Sequence, residues 1–191
     1  MSVHSVIKVP GIYFITFTCY QWMPLIRLTK STDLLYQWFD LLSTKGHSIV
    51  GYVIMPNHVH FMIYYYGGTQ HLNTLVGNGK RFLAYTIIQR LTQTNQTNIL
   101  YILQTGVTQQ DRNRKKIHAV WEKSFDSKWC NTEKFILQKL NYMHQNPCTS
   151  KWKLSERSIE YPFSSASFYE IGRRHYPLIK DYRDVLVLLE N

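Results

Sequence analysis

The stretch "GYVIMPNHVHFMIYYY", residues 51–66, decides the fold. Val, Ile, Phe and Tyr dominate it, types that suit a pleated, half-buried surface, and Pro56-Asn57 is its only turn signal. It therefore reads as the end of one strand (47–55) followed by a second that begins at His58. Side chains alternate across a strand, so His58 and His60 share one face while Val59 and Phe61 share the other. Two adjacent imidazoles each need partners for their ring nitrogens away from water. A divalent metal ion would satisfy both at once, and a wet strand end would also do so.

Working outward, "GIYFITFTCY" (11–20) is a strand, with Tyr13, Ile15 and Phe17 on one face and Phe14, Thr16 and Thr18 on the other. "STDLLYQWFDLLSTKG" (31–46) is a helix with an apolar stripe of Leu34, Leu35, Trp38, Leu41 and Leu42, ended by Gly46. Residues 71–93 are helical mainly from Lys80 onward, with a break expected at Gly77 and Gly79. Residues 97–121 mix turn residues with a basic run. "NTEKFILQKLNYMHQN" (131–146) is a clear helix stopped by Pro147, and the aromatic tail is less periodic. The order of elements predicts an α+β sandwich, with helices on one face of a mainly antiparallel sheet. One domain of residues 1–191 is expected, with its core in about 10–170 and a C-terminal tail over 171–191.

A chain of 191 residues, 45% hydrophobic and 15% aromatic, can bury a proper core and is not disordered. Its net charge of +10 points to a polyanionic partner, nucleic acid before membrane. No stretch is long and apolar enough for a bilayer, and the N-terminus lacks the features of a signal peptide. The 3 cysteines, Cys19, Cys130 and Cys148, form no CxxC pair and read as reduced thiols of a cytoplasmic protein.

In the 131–146 helix, at ~100° per residue, Ile136, Leu140 and Met143 make the core stripe. Tyr142 and Asn146 stack on an adjacent face with Lys139 one turn earlier, and His144 projects to the other side of that stripe. Taken alone, Tyr142 reads as a packed aromatic at the stripe's edge. In order along the chain, "MPNHVHFMI", "GNGKRFLAY", "VWEKSFDS" and "LNYMHQNPC" change that reading. This series, with a later "YPFSSASFY", resembles the single-tyrosine HUH transposases, particularly the REP-associated tyrosine transposases. The likeness spans roughly residues 10 to 170.

The resemblance implies a ferredoxin-like fold with the His58-Val59-His60 motif on a central strand. It implies Tyr142 as a nucleophile that forms a 5′-phosphotyrosine, and His58, His60 and Asn146 as ligands of Mg²⁺ or Mn²⁺; the family commonly has Gln at the last position. Imidazole ligands favour Mn²⁺ and cellular abundance favours Mg²⁺. The implied partner is single-stranded DNA carrying a hairpin, in a bacterial, nucleoid-associated protein, and both monomer and homodimer stay open. Charge adds Lys80, Arg81, Arg112, Arg114, Lys115 and Lys116 as candidate phosphate contacts, with solubilising surface charge as the alternative for each. Geometry adds Lys139 as a helper of the tyrosine, against a solvated helix face. Trp121 and Phe125 could stack bases, though Trp121 fits the core better. Two rival functions are a domesticated module that binds hairpin DNA or RNA without cutting, and a cupin-type metal enzyme, which would need many short strands.

Overall fold

A computed structural model of the chain describes residues 6–189. Strands β1 (Gly11–Thr18), β2 (Ser48–Ile54), β3 (His58–Tyr65) and β4 (Asp126–Trp129) form one sheet in the order β2-β3-β1-β4. Every pairing is antiparallel. Between them run helices α1 (Leu25–Leu28), α2 (Thr32–Thr44), α3 (Leu72–Gln93), α4 (Thr97–Thr105) and α5 (Gln109–Asn113). After β4 come α6 (Glu133–Gln145), α7 (Ala166–Ile171) and α8 (Tyr182–Leu189). The α+β class, the ferredoxin-like order and the central position of the two-histidine strand are as expected. An open four-stranded sheet leaves no room for the cupin reading.

The helices do not share one face. Tyr13, Ile15 and Phe17 of β1 and Val59, Phe61 and Ile63 of β3 pack against α2 and α3. Ile12, Phe14 and Met62 pack on the opposite face against Ile136, Leu140 and Met143 of α6. β1 and β3 carry apolar residues at nearly every position, so both faces need cover. The periodicity of each helix fixes its own buried side and says nothing about which side of the sheet it meets.

Two glycines set how closely the helices approach. α3 runs unbroken through Gly77 and Gly79, contrary to the expected break. Gly79 is there for packing, because a Cβ would fall on the Trp38 indole of α2. Gly51, at an irregularity in the β2–β3 pairing, does the same for α6: a Cβ there would sit 2.6 Å from Leu140. The stretch read as turns and a basic run contains α4 and α5, and the aromatic tail contains α7 and α8. The "YPFSSASFY" block covers the outer edge of β2. Ile54 N donates to Phe163 O at 2.8 Å, Ser165 N to Tyr52 O at 2.9 Å and the Tyr161 hydroxyl to Ile54 O at 2.8 Å. An edge covered in this way cannot pair with another chain.

Candidate active site

α6 follows β4 after a connection of only three residues, Cys130 to Thr132, and Thr132 caps it by accepting from Phe135 N. With Ile136, Leu140 and Met143 held on the sheet, the next face of the helix carries Tyr142 and Asn146 over the histidines of the same chain. The Tyr142 ring lies edge-on to His60 at 5.3 Å between centroids. Asn146 Nδ2 approaches His58 Nε2 at 3.4 Å. The two imidazole centroids are 4.8 Å apart. His58, His60 and Asn146 are buried, whereas Tyr142 is 53% exposed and so open to a ligand lying across the site.

The ring nitrogens of His58 can be assigned by elimination. Asn57 Nδ2 donates to the Trp22 carbonyl at 2.7 Å, which turns Asn57 Oδ1 toward His58 Nδ1 at 2.8 Å. An amide oxygen only accepts, so Nδ1 carries the proton and Nε2 keeps its lone pair, facing Asn146. His60 Nδ1 lies 2.7 Å from the hydroxyl of Thr16, its cross-strand partner. The other nitrogen of His60, Nε2, is buried without a hydrogen-bond partner. Burial, and secondarily the Lys151 charge, pulls the pKa of His58 down to about 4; burial, then His58 and Lys139, pulls His60 down to about 3. Both rings are therefore neutral near pH 7, the form that binds metal. Two inward nitrogens, one of them orphaned, fit a divalent cation, and a half-turn of the Asn146 amide would bring Oδ1 to the place where Nδ2 now faces His58. Among the described residues no group of three His, Cys, Asp or Glu side chains could hold a metal, so a third protein donor to such an ion would have to be of another type, as the Asn146 amide is.

Lys139 sits where the helix geometry put it, with Nζ 5.2 Å from the Phe14 ring centre and 5.7 Å from that of Tyr142. The other basic candidates are not gathered here. Lys80 and Arg81 ride on α3, across the sheet from the histidines. Lys80 Nζ donates to the carbonyls of Glu122 and Ser124, both at 3.1 Å, and burial lowers its pKa to about 8. It ties a loop to α3. Arg81 bonds Asn78, Arg112 bonds the Val107 carbonyl, and Lys116 pairs with Asp111 at 3.4 Å. These, with exposed Arg114 and Lys115, belong to the side of the molecule built on α3 to α5. Trp121 is in the core and donates to the Lys80 carbonyl at 2.7 Å.

Sequence reasoning missed several members of the site. Thr16 and Asn57 orient the imidazoles, and the cross-strand register that brings Thr16 to His60 has no local signal. Lys128, opposite Phe14 on β4, adds a cation on the histidine face. Trp22 and Trp152 flank His58, with ring centroids at 5.7 and 5.5 Å. Trp22 and Gln21 sit at φ of 57° and 50°, a left-handed backbone that costs a non-glycine residue about 1–3 kcal/mol.

No family model and no curated protein matches the chain. Among solved structures, a REP-associated tyrosine transposase bound to a REP hairpin aligns with a TM-score of 0.57 at 16% identity, over 94% of this chain and 91% of that one. The two proteins share a fold. A candidate transposase of Deinococcus radiodurans R1 aligns at a TM-score of 0.36 and 14% identity, over 76% of this chain and 97% of that one. Among the described residues no helix is long and apolar enough to cross a membrane.

Proposed function

We propose that the chain is a metal-dependent enzyme of the single-tyrosine HUH class, which cuts and rejoins hairpin-bearing single-stranded DNA. The observation that carries this reading is the convergence of His58 Nε2, the orphaned His60 Nε2, Asn146 and a half-exposed tyrosine on one small patch. The sharing of a fold with a hairpin-bound transposase supports it, as does the +10 charge.

The Tyr142 oxygen attacks the phosphorus of a phosphodiester, the bond to the sugar 3′-oxygen breaks, and that oxygen takes a proton from solvent and leaves as a hydroxyl. The DNA stays attached through a 5′-phosphotyrosine, and the phenolic proton passes to solvent. Rejoining is the reverse step and needs no further energy source. The Lys139 ammonium, 5.7 Å from the centre of the Tyr142 ring, adds positive charge beside the phosphate on which negative charge gathers during attack. A Mg²⁺ or Mn²⁺ ion held by His58, His60 and Asn146 would supply Lewis-acid polarisation of a phosphate oxygen. Asn57 holds His58 in the tautomer the site requires, and Thr16 holds the orientation of His60.

The test is a denaturing gel of protein mixed with a pool of labelled single-stranded hairpins, with Mn²⁺ or with EDTA. The expected result is a shifted covalent band that needs the metal and is absent from Tyr142→Phe. Tight hairpin binding with no band would replace this reading by the non-cutting module.

A further inference from the structure

Next to the histidines lies a feature that the cutting reaction does not use. Trp22, Pro24, Arg27, Asn57, Lys151 and Trp152 line a cavity of about 400 Å³ that opens to the surface. We infer that this cavity takes one unpaired nucleobase, stacked on the indoles of Trp22 and Trp152, from the strand whose phosphate lies at His58. The inference deepens the reading of the site as one for single-stranded DNA and rests on it.

Three observations point to a flat, anion-linked ligand. First, Trp22 is 53% exposed, so its indole adds little to the core, yet two consecutive non-glycine residues adopt left-handed backbone to present it. That backbone is held from three sides: Trp22 N donates to Cys19 O, Gln21 N to the Glu122 carboxylate, and the Trp22 carbonyl accepts from Asn57. Second, Lys151 Nζ lies 4.6 Å from the Trp22 ring centre and 5.2 Å from that of Trp152, so one ammonium serves both indoles. A base entering the cavity replaces that ammonium against the rings and leaves it beside the strand's phosphate, with Arg27 at the rim. Third, Asn57 bonds both the Trp22 carbonyl and His58 Nδ1, so the wall of the cavity and the metal-facing imidazole are one hydrogen-bonded unit. Base–aromatic stacking tolerates any base, and the position of the scissile phosphate relative to the bound base is thereby fixed without a sequence code.

The test uses full-length Tyr142→Phe protein, which cannot cut, in EDTA at fixed salt. Tryptophan fluorescence is followed while a mixed-sequence octanucleotide, or an abasic octanucleotide of the same charge, is added. The base-bearing strand should bind about tenfold or more tighter than the abasic one. Trp22→Leu and Trp152→Leu should each collapse that ratio toward one, and Trp152→Phe should recover part of it, which separates lost stacking from lost folding. Lys151→Ala should weaken both strands alike. Equal affinity for the two strands, a ratio undiminished in both Leu variants, or no binding of either strand would overturn the inference. A covalent band from the unsubstituted protein without base discrimination would remove the cavity alone. Base discrimination with no band would remove the cutting reaction and leave the cavity standing.

Discussion

The two faces of the sheet are built from the same two central strands and do different work. On the α2–α3 face, β1 and β3 present Tyr13, Ile15, Phe17, Val59, Phe61 and Ile63, all buried and apolar. On the α6 face the same strands start apolar, with Ile12, Phe14 and Met62, and turn polar toward one end, with Thr16, His60 and His58. Burial is what keeps both imidazoles neutral well below their ordinary titration range, and burial requires a well-packed neighbourhood. Here the first face supplies the stability, and the second places buried polar groups under one end of α6.

Substitutions on the two faces should therefore separate activity from stability. Tyr142→Phe should have the largest effect on activity, with the covalent adduct falling below detection in a denaturing gel. Its melting temperature should be unchanged, because the residue is half exposed. Phe61→Ala, on the other face, should cost about 3–5 kcal/mol in urea unfolding, with adduct yield following only the folded fraction. A Phe61→Ala protein that stays fully folded yet inactive would break the comparison.

Asn57→Ala should leave His58 Nδ1 without its acceptor and the Trp22 carbonyl without its donor, weakening Mn²⁺ binding by about 10–100-fold in calorimetry and costing about 1–3 kcal/mol of stability. Gly51→Ala drives a Cβ into Leu140 and should cost about 1–3 kcal/mol. The adduct should form more slowly, and Leu140→Ala should cost less in the Gly51→Ala background than in the unsubstituted protein.

The smallest effect is on pH dependence. His58 and His144 are pulled down to about 4 and His60 to about 3, each chiefly by burial, while an unfolded imidazole titrates near 6.5. The unfolded chain therefore binds more protons on acidification, so this contribution is full above about pH 6.5 and is lost as pH falls toward 3–4. The urea midpoint of metal-free protein should be flat from pH 7 to 8 and decline below 6.5. His144→Gln should reduce that decline, and a midpoint rising below pH 6.5 would contradict the burial argument.

Much of this was legible in the sequence, for local reasons. Alternation put His58 and His60 on one strand face, and helical spacing put Tyr142 and Asn146 on one helix face. The same spacing sent His144 away, where it bonds Ser165 at 2.8 Å. What stayed hidden depends on distant partners. Thr16 meets His60 only through strand register, Lys80 turns inward to two loop carbonyls, and α6 crosses to the opposite face because the sheet is apolar on both sides. Gly79 looked like a helix breaker because its reason, the Trp38 indole, lies 41 residues earlier in the chain.

The measurement that bears most directly on the central claim is the site of covalent attachment. Trypsin cuts after Lys139 and Lys151 and releases "LNYMHQNPCTSK", residues 140–151, in which Tyr142 is the only tyrosine. After reaction with hairpin DNA and Mn²⁺ and nuclease trimming, mass spectrometry should find a nucleotide-phosphate mass on Tyr142 in this peptide. An adduct on any other residue, or an unmodified 140–151 peptide from gel-shifted protein, would contradict the account.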